Sequence, residues 1–202
     1  LLIRRGADTL VVDRFFRNGD TLAGIVRVKG QPRVDYLAVL GPGEAVRSLE
    51  IGIFALDATP NAVPAQRIRM FVEGDSVIAE TPTGIQQLRT SAGAIPMFNN
   101  ALALAELFTR RARAAGGTAD IPYFAISNGQ TLTASVRPVG ADSLTLAVAS
   151  QVQRLKVDGR GRILGGAIAG SGLELARLGP EAADQLNVSL RDKKGASPPE
   201  LR

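Results

Sequence analysis

The chain of 202 residues carries 24 Lys plus Arg against 19 Asp plus Glu, a formal charge of +5, and no Cys, His or Trp. Without an imidazole or a thiolate there is no Ser-His-Asp triad, no thiol nucleophile, no disulfide, no iron-sulfur cluster and no ordinary zinc site, which leaves carboxylate, hydroxyl, guanidinium and backbone chemistry. The longest apolar runs, such as residues 101–105, fall far short of the ~20 residues of a membrane-spanning helix, so no transmembrane segment is expected.

Alternation of apolar and polar residues with a period of two runs through most of the chain and is punctuated by turn residues, the pattern of an antiparallel meander. Residues 9–16 put Leu10, Val12 and Phe16 on one face and Val11, Asp13 and Phe15 on the other, and Asn18-Gly19 closes a tight hairpin. Strands follow at 20–29, 33–40 and 45–56, separated by Gly30-Gln31-Pro32 and Gly41-Pro42-Gly43, with the long third one expected to bend or bulge around Gly52. Three more are expected at 66–73, 76–80 and 84–90.

The period then changes. Asn99-Asn100 offers a helix cap, and Ala101, Leu104, Ala105, Phe108 and Ala112 fall on one helical face, which predicts a helix over about 99–115 stopped by Gly116-Gly117. Alternation resumes at 121–126, 131–137, 143–149, 151–157, 162–169 and 173–178, and residues 179–202 read as a charged tail or linker. The expected domain is therefore 1–178. A sheet of about a dozen strands does not stay flat, so the expected fold is mainly β: a long antiparallel meander curled into a half-barrel or flattened barrel, with one inserted helix covering its concave face.

The segment from Asp20 to Val46 also repeats, in order of features, in the segment from Asp142 to Ile163, each with a Gly-x-Gly turn. This is either the self-likeness of any meander or a duplicated half-sheet. Neither Gly41-Pro42-Gly43 nor Gly159-Arg160-Gly161 opens a helix, so both read as hairpin turns and not as phosphate loops. The basic residues are 20 Arg and 4 Lys, scattered along the chain apart from Arg110-Arg111-Arg113 at the end of the helix and the terminal Arg191, Lys193 and Lys194, and no nucleic-acid partner is expected.

Two function classes follow from these residues. Carboxylates on strands, Asp13, Asp35, Glu50 and Glu80, are the candidate catalytic residues of a hydrolase or isomerase that needs no His, Cys or metal, although Asp13 and Asp35 have Arg14 and Arg33 beside them in sequence and so also read as surface ion pairs. Aromatic and methionine residues form the other set: Phe15, Tyr36, Met70, Phe71, Met97, Phe98, Phe108, Tyr123 and Phe124 are either core or the lining of an apolar pocket beside the helix, with residues 95–98 as its rim. No metal site and no cofactor are expected.

The long meander, the Gly-Ala-Ile-Pro segment from Gly93 to Pro96 leading into one mid-chain helix, and the hairpin from Val157 to Leu164 resemble a group of secreted bacterial β domains, some found beside hydrolase domains. In general plan they are similar to the periplasmic half-barrel carriers that hold lipoprotein acyl chains. That resemblance implies export from a bacterial cell, a periplasmic or secreted location, and a hydrophobic small molecule, lipid or acyl chain as ligand or a hydrolase domain as neighbour. It transfers no catalytic residue. The expectation is a binding or accessory domain, with the carboxylate enzyme as its alternative.

Overall fold

The structure is a computed structural model that describes residues 1–179 and residue 182. It is one mixed sheet of fifteen strands with one α-helix among the described residues. The chain starts in the middle of that sheet. From β1 (Leu2–Arg5), the strands β2 (Asp8–Asn18), β3 (Thr21–Val28), β4 (Val34–Gly41), β5 (Ala45–Ile53), β6 (Gln66–Glu73), β7 (Ser76–Thr81) and β8 (Gly84–Arg89) step outward to one edge, each antiparallel to the last. The chain then crosses to the other edge, where β9 (Ile95–Met97) runs parallel to β10 (Ala119–Ala125), with α1 (Leu102–Ala114) between them. Strands β11 (Gln130–Gly140), β12 (Ser143–Val148), β13 (Gln151–Val157), β14 (Ile163–Ile168) and β15 (Leu173–Ala176) step back inward until β15 pairs with the free side of β1.

Register explains the curl. Leu22, Ala38, Leu49, Met70 and Ala79 lie directly opposite one another across β3 to β7, and all are buried. The neighbouring row, one residue along each strand, is Phe16, Ala23, Leu37, Glu50, Arg69 and Glu80, and it faces solvent. The period of two thus gives the sheet one apolar inner face, and a sheet with one apolar face curls around whatever covers it. The cover is α1. Leu104, Leu107 and Phe108 are fully buried, each contributing about 1.5–3 kcal/mol. A helix of 13 residues is marginal alone, so this packing and not propensity holds it.

The sheet does not close into a barrel, because β8 and β9 share no backbone ladder. Its flanks nevertheless touch: the Thr131 hydroxyl donates to the Thr90 hydroxyl at 2.9 Å. Pro96, which has no N–H to give, sits on the short edge strand β9 where none is required.

Several expectations need correction. Strands β1 and β9 were not expected, since four and three residues are too short to show alternation. Ile95 is wholly buried in β9, so the start of the 95–98 segment is sheet and not rim. The strand expected over 45–56 ends at Ile53, where Phe54 turns away beneath the Arg33 guanidinium, 3.7 Å above its ring. Gly52 marks no bulge; the register shift lies at Val39 and Leu40, and Gly52 instead leaves room for Pro64 of the following loop. The helix starts at Leu102 because Asn100 is in the left-handed region, with φ 68°. Its C-terminal stop is as expected: Gly117 N–H donates to the Ala112 carbonyl and Gly116 N–H to that of Arg113, a Schellman pair. The tail, apart from Gly179 and Ala182, lies outside the described residues.

Candidate functional site

Asp13 follows the inner-face side of β2, opposite Val26 and between Val11 and Phe15. Its carboxylate is 0% exposed. Tyr36 of β4 lies two strands away, and its ring crosses Gly24 of β3; a Cβ on Gly24 would stand 2.3 Å from the Tyr36 hydroxyl oxygen. The missing side chain is what lets that hydroxyl donate to Asp13 Oδ1 at 3.0 Å.

The other partner of Asp13 is α1. The first N–H groups of any helix lack intrahelical acceptors, and here the N-cap residue is Ala101, whose side chain offers none. Asp13 Oδ2 accepts from the Ala103 N–H at 2.8 Å and so caps the helix from a strand 90 residues away. The cap expected from Asn99-Asn100 is not used. Burial pushes the Asp13 carboxyl up to about 6, against the opposing pull of the Ala103 N–H and the Tyr36 hydroxyl. Burial, then the neighbouring Asp13 charge, also raises Tyr36 well above the ordinary phenol range.

A second buried carboxylate lies one turn along α1. Glu106 is 3% exposed; Oε1 accepts from Arg110 Nη2 at 2.9 Å, and Oε2 accepts from the Ile163 N–H at 3.0 Å and from Arg177 Nη2. Arg177 also donates from Nε to the Ile163 carbonyl at 2.6 Å, with its guanidinium carbon 5.3 Å from the Phe15 ring centre. The Thr109 hydroxyl reaches the Gly161 carbonyl at 2.5 Å. These bonds tie the helix to β14 and β15.

The four carboxylates singled out in the sequence are not brought together. Asp13 is inside, while Asp35, Glu50 and Glu80 lie on the outer face: Asp35 beside Arg33 at 3.0 Å, Glu50 beside Arg67 and Arg69 at 3.4 and 3.3 Å, and Glu80 at 4.0 Å from Arg69. Asp13 is no surface ion pair with Arg14; it is a buried helix cap. Its two oxygens accept from Tyr36 and from the first turn of α1, the geometry of a helix anchor. Among the described residues no group of acidic side chains forms a metal cage.

The apolar set fares differently. Tyr36, Met70, Phe108, Tyr123 and Phe124 belong to one continuous core, with Phe15, Met97 and Phe98 packed against it. Tyr36 and Phe98 meet edge to face at 5.6 Å between ring centres, as do Phe108 and Tyr123 at 6.1 Å. Phe71 does not join them, since it alternates with Met70 and points outward, 39% exposed.

Among solved structures, the fold is similar to that of a DUF1089 family protein from Pseudomonas aeruginosa, with a TM-score of 0.58 over 85% of this chain and 94% of that one. The two share a fold. At 11% identity the likeness extends no further. No family model and no curated protein matches the sequence. The sequence reading missed Glu106 and Arg177. A signal for the first was present, because Glu106 stands between Ala105 and Leu107 in the otherwise apolar stretch 102–108 of the helix.

Proposed function

We propose that this chain is a non-enzymatic binding domain whose ligand is a hydrophobic small molecule, lipid or acyl chain, held on the inner face of the curled sheet against α1. The observation that carries this reading is the combination of an apolar inner face covered by one helix and a sheet whose edges, β8 and β9, share no ladder. A ligand admitted between those flanks breaks no backbone pairing of the sheet. Met97 and Phe98, both half-buried, stand where it would pass into the core. The dispersal of the carboxylates supports binding over catalysis. We base a periplasmic or secreted location, with the domain acting alone or beside a hydrolase domain, on the sequence's resemblance in plan to half-barrel acyl-chain carriers.

The chain has no cysteine, so a Thr90→Cys/Thr131→Cys variant gives a clean test. Those side chains already meet across the gap, close to disulfide reach. The wild type, purified without detergent, is expected to carry an extractable apolar molecule by native mass spectrometry or to take up a fluorescent fatty acid. The oxidised variant should take up the fatty acid slowly, and reduction should restore the rate. An apo mass together with no saturable fatty-acid uptake in wild type refutes the reading.

A further inference from the structure

At the C-terminal end of α1, bordering Glu106 through Arg110 and distant from Asp13, an open cleft of about 700 Å³ lies between the helix and two turns. One turn is the 3₁₀ turn Pro42–Glu44, and the other contains Gly159 and Arg160. These are the two Gly-x-Gly turns of the sequence, which the fold brings to the same helix end. Their approach is close: a Cβ on Gly161 would stand 2.7 Å from the Thr109 carbonyl oxygen. On the other side, Glu44 is held in the left-handed region, φ 62°, and its carbonyl accepts from Arg111 Nη2 at 2.7 Å.

The cleft is lined by four arginines, Arg110, Arg111, Arg113 and Arg160, and by one acid, Glu44. Glu44 is already engaged by Arg17 at 2.6 Å, and Arg110 is engaged by Glu106. Arg111 gives its donors to the Glu44 and Gly93 carbonyls, which fix the guanidinium but do not neutralise it. Arg113 donates from Nη2 to the Ala141 carbonyl, and its Nε is buried with no acceptor. Arg160 is exposed, and no ion pair of its side chain exists among the described residues. The opposing negative pole of the helix is worth about half a charge, and its last carbonyls are already occupied by Ala115, Gly116 and Gly117. Positive charge therefore dominates a concave site.

We propose that this cleft binds a phosphate group, with Arg113 and Arg160 as its ligands and Arg111 as a fixed charge behind them. Guanidinium forks match phosphate oxygens, and guanidinium charges without acidic partners suit a dianion better than a single carboxylate. The site is separate from the apolar interior and stands whether or not a lipid enters the sheet.

The test uses inorganic phosphate in calorimetric titration and, separately, sedimentation with phosphatidylcholine vesicles with and without phosphatidic acid. Arg160→Ala and Arg113→Ala/Arg160→Ala are compared with wild type. An Arg67→Ala/Arg69→Ala variant removes the same charge from the outer-face ladder. The expected result is one saturable phosphate site, weakened at least about tenfold in the cleft variants and unchanged in the control. Capture only by vesicles containing phosphatidic acid, lost in the cleft variants, supports the site with a lipid headgroup as its source. Folded Arg160→Ala protein that keeps wild-type binding, equal loss in the control, or no binding of either probe by wild type overturns it.

Discussion

The buried Asp13 carboxylate makes a quantitative claim about pH. A carboxyl of ordinary value 3.8 when the chain is unfolded, raised to about 6 in the fold, binds its proton more tightly in the native state. Its contribution to stability is therefore fully present below 3.8 and lost as pH rises through 6, the reverse of a salt-bridged carboxylate. At 1.36 kcal/mol per unit of difference, the loss is on the order of 3 kcal/mol between pH 3.8 and neutrality. Asp13→Asn keeps the size and a carbonyl oxygen for the Ala103 N–H but removes the titration. Urea unfolding of both proteins from pH 4 to pH 7.5 isolates the effect, because every other carboxyl is common to the pair. The stability of Asp13→Asn relative to wild type should increase by about 2.4 kcal/mol across that range, since about 0.6 kcal/mol of the effect already lies below pH 4, whatever its absolute value at either end. A difference that stays flat with pH shows that the carboxylate is not paying a desolvation cost in the fold, and the assignment of Asp13 as a buried anionic cap fails with it.

Two further substitutions probe the same node. Tyr36→Phe removes a donor that favours the ionised carboxylate, so the midpoint of the wild-type pH dependence should move above 6, with a loss of about 1–2 kcal/mol at pH 7; an unmoved midpoint shows that the hydroxyl does not touch Asp13 in solution. Gly24→Ala sets a methyl 2.3 Å from the Tyr36 hydroxyl oxygen, so the ring must swing off the strand, and denaturant melts should show a loss of about 1–3 kcal/mol. Because the Tyr36 ring carbons Cζ and Cε1 would also lie 2.5 and 2.7 Å from that methyl, the same alanine should cost less in a Tyr36→Ala background, and equal costs in the two backgrounds argue against the clash.

The sheet was legible because its alternation is long and its turns are punctuated by glycine: Gly19, Gly30, Gly43 and Gly161 all take positive φ where a turn was read. What escaped was set by partners distant in sequence. Three-residue β9 has no period of its own and exists because β10 is there to pair with it. Met70 and Phe71 looked equivalent as apolar residues, and only the register of β5 through β7 sends one inward and the other out. Asp13 read as a strand carboxylate beside an arginine because local sequence cannot show that a helix 90 residues later arrives without a cap of its own. The arginine cleft was visible only as a basic helix end, since its other wall comes from two turns more than 110 residues apart in the chain, at Gly43 and Gly159.

The polar anchors of α1 are unevenly placed, and that asymmetry decides which end can move. From its second turn onward the helix is tied by Glu106 to Ile163 and Arg177, by Thr109 to Gly161, by Arg111 to Glu44 and Gly93, and by Arg113 to Ala141. The first turn has Asp13, an anchor whose ionised form is penalised by burial, and is approached through the half-buried Met97 and Phe98. Local opening starts where the fewest bonds must break, so the N-terminal turn should lead. In native-state hydrogen exchange at pH 7, the amides of residues 103–105 should exchange about tenfold faster than those of 109–112, a difference of about 1.4 kcal/mol, and the gap should narrow at pH 5 as the cap is protonated and its charge cost removed. Uniform protection along the helix, or a frayed C-terminal half, means that α1 is held by apolar packing alone and that a ligand entering beside Phe98 would have to lift the helix as a single body.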